Sequence, residues 1–267
     1  MRISHIKRIL HCGLHLQKKT FAKMTNHKNN HIGQAFRQEI SANLNAISTP
    51  LRRNSTESFF KHDIKCYGVS NPDSQKIGRE YIRRLKKHTK ENILDLCEEM
   101  FRSEYLEESL IACQITFAQK EHFTESDIDT FERWINNYIN NWAECDTFCN
   151  KVIGEMMFRF PNIVERVKSW SLSENLWVRR ASAVSFIYPG KRNTYVDDQF
   201  EIALILLEDK EDMVQKGYGW MLKVLSSARL NEVFQFVQTY KARMPRTALR
   251  YAIEKMPPDL KMEAMRK

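Results

Sequence analysis

The sequence predicts an all-α protein built as an array of stacked helical repeats. Strand signals are missing, since no alternating β-branched run is bounded by turns. Apolar stripes at helical spacing run almost continuously from about residue 34, and the 267 residues include only eight glycines. Three segments that mix tryptophan with charge also recur at repeat-like intervals. They are Asn141-Trp142-Ala143-Glu144-Cys145-Asp146, Glu174-Asn175-Leu176-Trp177-Val178-Arg179-Arg180 and Val214-Gln215-Lys216-Gly217-Tyr218-Gly219-Trp220. Asp146 to Arg180 spans 34 residues and Arg180 to Trp220 spans 40, close to the period of helical-hairpin repeats that present equivalent positions on one face.

Along the chain, residues 1–33 show no sustained period and read as a basic N-terminal extension: a disordered tail, or a targeting segment of the mitochondrial type. Residues 34–267 form the helical-repeat domain. Asn71-Pro72-Asp73 starts a helix, with Asn71 as N-cap, Pro72 in the first turn, and Ile77, Tyr81 and Leu85 as the apolar stripe. Helices follow over about 90–102, 104–119 and 125–139, the last preceded by Thr124 with Asp127 three residues on, an acidic capping box. Phe148, Val152, Met156 and Phe160, spaced by four, make one helix over 144–159 that Pro161 breaks. Ile163, Val164, Val167 and Trp170 continue the apolar pattern. Ser173 is the expected N-cap of a helix whose Trp177, Ala181, Val184 and Tyr188 share a face until Pro189-Gly190. Helices over 195–208, 210–226, 229–242 and 246–255 complete the array. Each is short enough to need neighbours, so antiparallel pairs joined by brief turns are expected.

Composition narrows the function classes. No run is long and apolar enough to span a bilayer, so no membrane partner is expected. The net charge of +9 is uneven: residues 1–38 carry eight Lys or Arg and no acid, which leaves residues 39–267 near neutral. A basic groove on the domain must therefore come from local clustering. The six cysteines contain no Cys-x-x-Cys pair, and no His or Cys cluster joins Cys145 and Cys149, so buried thiols in a reducing intracellular compartment are expected, with no metal and no cofactor. The nucleus or cytoplasm fits, or the mitochondrion if the basic extension is a transit peptide.

Chemistry points first to Trp142 and Asp146, one helical turn apart. An indole face beside a carboxylate suits a site that surrounds a developing cation, although a core tryptophan beside a capping aspartate satisfies the same spacing. Arg179 and Arg180 fall off the apolar stripe of their helix, where they are either solvated or grip a phosphate. Lys216, Trp220 and Lys223 form an i, i+4, i+7 stripe beside the apolar stripe of Val214, Tyr218, Met221 and Leu225, as on a nucleic-acid surface, although a partly covered tryptophan at the edge of the core fits equally. Arg243, Arg246 and Arg250 flank Pro245 at a helix start, which suits a phosphate or a solvated turn equally. No Gly-rich phosphate loop, His-Glu-x-x-His segment or serine elbow is present, so any enzyme chemistry falls to a carboxylate.

In order, Tyr67-Gly68-Val69 with Pro72, Asn141-Trp142 with Cys145-Asp146, Leu176-Trp177 with Arg180-Ala181, and Val214-Gln215-Lys216 with Gly219-Trp220 resemble the AlkD-like DNA alkylation repair family over roughly residues 55–257. That resemblance implies HEAT-like repeats stacked into a C-shaped solenoid around duplex DNA, and a monomeric, monofunctional DNA glycosylase acting on N3- and N7-alkylated purines. It also implies Asp146 as the catalytic carboxylate, Trp142 and Trp220 as active-site indoles, and Arg180 as a DNA-backbone contact. A further implication is that the target base stays stacked while the sugar is approached directly. Asn141 and Ala143 stand where some family members carry a second aromatic or acid, and the N-terminal extension has no family counterpart. Two other readings stay open: a non-catalytic helical scaffold, and a structure-specific DNA binder. Tolerance of the loss of Asp146 would distinguish a scaffold from an enzyme.

Overall fold

The computed structural model describes residues 33–266. Apart from Gly33, the N-terminal extension lies outside the described residues. Among those described there is no β-strand, only an isolated parallel bridge between Lys65 and Tyr105. The helices are α1 (33–46), α2 (Pro50–Phe59), α3 (Asn71–Leu85), α4 (Lys90–Arg102), α5 (Leu106–Ala118), α6 (Asp127–Asn137), α7 (Trp142–Phe148) and α8 (Gly154–Arg159). They continue as α9 (Val164–Ser169), α10 (Leu176–Ser185), α11 (Ile187–Gly190), α12 (Val196–Ile205), α13 (Asp212–Leu225), α14 (Leu230–Tyr240), α15 (Arg246–Ala252) and α16 (Pro258–Met265).

These helices form two layers. One row packs in the order α3, α5, α7, α10, α13, α15, each helix against the next. The second row lies behind it, with α4 on α5, α9 on α10, and α12 and α14 on α13. One apolar core runs between the rows from Ile40 to Ala264, with Trp134, Tyr81, Tyr218 and Phe148 among its largest members. A helical-repeat solenoid results, because each pair buries its apolar stripe only against its neighbours.

Several ends differ from the sequence reading. Ser70, not Asn71, caps α3: its hydroxyl accepts the Asp73 N–H at 3.3 Å, and Asn71 already lies inside the helix. Asn175, not Ser173, caps α10 by accepting the Trp177 N–H at 2.9 Å, while Ser173 Oγ accepts the Asn175 N–H. The expected helix over 144–159 begins at Trp142 behind the Asn141 cap and contains a π-helical turn, Cys149–Ile153, between α7 and α8. The helix expected to run to Pro189 stops at Ser185, and Pro189 falls in the single turn α11. The Thr124–Asp127 expectation holds in part, since Asp127 Oδ2 accepts the Thr124 N–H at 2.7 Å.

The segment after α2 is held by a buried carboxylate. Glu107, in the first turn of α5, accepts the N–H groups of Tyr67, Gly68 and Val69 at 2.9, 2.9 and 3.0 Å. Gly68 has φ 83°, and a Cβ there would stand 2.5 Å from the Arg53 nitrogen, so glycine lets this segment lie against α2. Glu108 beside it accepts the Tyr67 hydroxyl at 2.7 Å and Arg37 Nε at 2.8 Å. Anchored in this way, α2 has no buried residue and delivers its C-terminal end to the inner row.

Candidate active site

Asp146 and Trp142 enter the site from α7, whose start is fixed by a double cap. Asn141 Oδ1 accepts the Glu144 N–H at 3.0 Å, and Glu144 reaches back to the Asn140 N–H at 3.4 Å. The helical spacing then puts Trp142 and Asp146 on the inner face. Trp220 comes from α13, and both indoles line the same cleft as Asp146.

Arg180 departs most from the sequence reading. It was expected off the apolar stripe, solvated or holding a phosphate, yet its side chain is only 5% exposed. Its Nε and Nη2 donate to Asp146 Oδ1 and Oδ2 at 2.9 and 2.8 Å, and Nη1 donates to the Met213 carbonyl. Packing of α10 between α7 and α13 causes this, because both neighbours offer acceptors to the same guanidinium. The fork fixes both carboxylate oxygens. Burial pushes the Asp146 carboxyl above the ordinary aspartate range, and the Arg180 charge pulls it part of the way back. The aspartate side chain keeps 18% of its surface open to the cleft.

Asp146, Trp142 and Trp220 stand at the junction of two lobes. One, of about 430 Å³, is cationic and aromatic, lined by Lys61, His62, Lys216, Lys223 and Tyr251 as well as Arg180. The other, of about 520 Å³, is walled by α3, α5 and α7 and lined by Phe117 and a set of amide side chains.

Carboxylates engage most of the cations on this face. Lys216 pairs with Asp212 at 2.7 Å, and Lys61 reaches the same oxygen at 3.3 Å. Lys223 pairs with Glu254 at 2.8 Å and lies 5.3 Å from the Tyr251 ring centre. Arg179 is turned away from the cleft. It bonds Asp209 at 2.7 Å and the Ser173 and Glu174 carbonyls at 2.9 Å each, so its surroundings are those of an interhelical tie. Arg243 pairs with Glu208 at 2.8 Å, and Arg246 and Arg250 lie exposed on α15; none of the three lines either lobe.

The segment Phe59-Phe60-Lys61-His62 was missed by the sequence reading. Phe60 stacks on Trp142 with centroids 5.5 Å apart and planes at 20°, and Phe59 meets the same indole edge-on at 5.7 Å while 71% exposed. Two aromatics followed by a cation and a histidine were the available signal, but nothing local says that they meet a residue 82 positions later. Among the described residues, no three His, Cys, Asp or Glu side chains converge as metal ligands. Their five cysteines are free and buried, and no helix is long and apolar enough to cross a membrane.

A two-layer solenoid whose inner row carries a clamped carboxylate and two indoles in one cleft defines a class: a helical-repeat protein with a charged and aromatic cleft. The chain belongs to the DNA alkylation repair enzyme family, which it matches over residues 40–256. Its fold is similar to that of a predicted DNA alkylation repair enzyme from Enterococcus faecalis, at TM-score 0.72 over 79% of this chain and 97% of that one; at 16% identity this likeness carries the fold alone. Comparison with curated proteins gives no match.

Proposed function

We propose that the protein is a DNA glycosylase that hydrolyses the N-glycosidic bond of cationic N3- or N7-alkylated purines in duplex DNA. Membership of the family supports a role in DNA alkylation repair. The single observation that carries the finer reading is the Asp146 carboxylate, held by Arg180 and flanked by Trp142 and Trp220.

The chemistry follows from charge. Alkylation at N3 or N7 gives the purine a formal positive charge, so it departs without a strong general acid. Breakage of the C1′–N bond sends the electron pair to the purine, which leaves neutral, and the sugar becomes oxocarbenium-like. Asp146 stabilises that cation and accepts a hydrogen bond from the attacking water, whose oxygen adds to C1′ and whose proton passes to the solvent. The two indole faces favour the same charge. Arg180 acts on Asp146 as a positioning residue, since its guanidinium is committed to the carboxylate. Lys61, Lys216 and Lys223 take the flanking phosphates by exchanging their carboxylate partners for phosphate oxygens.

The test is release of free base from duplex containing 7-methylguanine, measured for the wild type and Asp146→Asn. Release is expected from the wild type and is expected to slow about a hundredfold to a thousandfold in the variant, with DNA affinity kept. No release by the wild type, or equal loss of binding in the variant, would overturn the reading.

A further inference from the structure

The larger lobe is built differently from the rest of the cleft. Asn71, Gln75, Gln114 and Asn150 bring four carboxamides to it, with the Ser74 hydroxyl among them. Asn71 and Ser74 sit on the first turn of α3 and Gln75 just behind them, while Gln114 projects from α5. Asn150 comes from the π-helical turn that follows the Asp146 helix, and such turns re-aim side chains that a regular helix would carry elsewhere.

Two of these groups have unspent hydrogen-bonding capacity. Ser74 is only 2% exposed, and its Oγ has no partner among the described residues; neither has the buried Asn150 Oδ1. A buried polar atom without a partner is costly, so a small rotation of either side chain into the lobe would let it bond a polar edge placed there. Gln75 and Gln114 each have one modest contact, Gln75 to Asn71 Oδ1 and Gln114 to the Gln75 carbonyl, both at 3.3 Å. The apolar lining comes from Phe117 and Leu110 on α5 and from the two indoles.

We propose that this lobe is a subsite for a neutral nucleobase, held by its edge through the carboxamides and by its faces against the aromatic walls. Carboxamides present a donor and an acceptor side by side, which matches the paired groups on a base edge. Stacking on aromatic side chains supplies the affinity that hydrogen bonds alone do not. Asp146 is the one acid in the lining and is paired with Arg180, so with Lys151 also present the lobe offers a cationic alkylpurine no free anion and favours an uncharged edge. Two sources fit that chemistry: the purine released by the reaction, and the base opposite the lesion. The choice of ligand rests on the glycosylase reading, whereas the subsite rests on the lobe's own residues.

The test uses the full-length protein. Free adenine and 3-methyladenine are titrated while tryptophan fluorescence is followed, because Trp142 and Trp220 wall the lobe. In parallel, affinity is measured for duplexes carrying a stable abasic analogue opposite each of the four bases. Saturable quenching that weakens about tenfold in Asn150→Leu and in Gln75→Leu assigns the subsite to the released base. An affinity that depends on the opposing base, and loses that dependence in the same variants, assigns it to the opposing base. Gln75 is exposed, so its variant keeps the test valid if Asn150→Leu fails to fold. Absence of both saturable quenching and opposing-base dependence, or persistence of either unchanged in both variants, would overturn the subsite, whether or not 7-methylguanine is released. Base binding without any release of 7-methylguanine keeps the subsite and sinks the glycosylase reading.

Discussion

Arg180 exemplifies a charge whose worth depends on its partner. Its guanidinium and the Asp146 carboxylate are both largely removed from water, so removing one strands the other. Arg180→Ala is expected to destabilise the protein by about 3 kcal/mol at pH 7, with a smaller loss at acid pH where Asp146 is neutral; thermal unfolding against pH measures this. Glu144, two residues before Asp146, carries the opposite lesson. Burial pushes its carboxyl up to about 7 from 4.5, against hydrogen bonds that favour the ionised form. The stability it contributes is therefore complete below about pH 4.5 and is lost as the pH rises to about 7. Glu144→Gln is expected to stabilise the protein above pH 7 by up to about 3 kcal/mol, with the gain vanishing near pH 4 in denaturant titrations. Asp146 and Trp142 could be picked out from the sequence because one helical turn relates them. The Asp146–Arg180 pairing could not, because 34 residues and a helix–helix contact separate the two.

Among the elements, α13 does most to shape the site. It carries Lys216, Trp220 and Lys223 on the cleft side and packs α10 and α15 on either flank. Its two glycines permit that closeness. A Cβ at Gly217 would stand 3.2 Å from Arg180 Cγ, and one at Gly219 would stand 2.7 Å from Tyr251 Cβ and 2.9 Å from the Ala248 carbonyl oxygen. Gly219→Ala must push α15 away, so a cost of about 1–3 kcal/mol is expected despite the better helix propensity of alanine. The same shift displaces Tyr251 from the cationic lobe, so weaker DNA binding should accompany the lower melting temperature. Apolar spacing is local, so the stripe of α13 and its length to within a few residues were legible in the chain. The caps at Ser70 and Asn175 were not. Several adjacent residues could cap, and tertiary contacts choose among them.

Across the whole molecule, the cleft is less positive than the total charge suggests. Asp146, Asp212 and Glu254 partner its main cations. Residues 1–32 hold seven Lys or Arg and no acid. Removing residues 1–32 is thus expected to flatten the dependence of DNA affinity on salt by about 0.9 in slope for each phosphate that the extension neutralises, while single-turnover base release by the bound enzyme stays the same. An unchanged slope would place the salt-sensitive contacts within the repeat domain itself.

Helical period, the scarcity of glycine and the recurrence of tryptophan with charge were enough to establish an all-helical stack and most of the helices from α3 to α15, and to single out Trp142, Asp146 and Trp220 as candidates; α2 and α16 were not foreseen. All of these are properties of neighbours along the chain or of a regular repeat. Packing was needed to turn Arg180 from an apparent surface cation into the clamp on Asp146, to tie Arg179 to Asp209, and to bring Phe60 onto Trp142. The π-helical turn at Cys149–Ile153 and the two unpartnered oxygens at Ser74 and Asn150 likewise emerged only with the third dimension. Such contacts are selected by the free energy of burying groups from distant helices together, and no local pattern records which partners will meet.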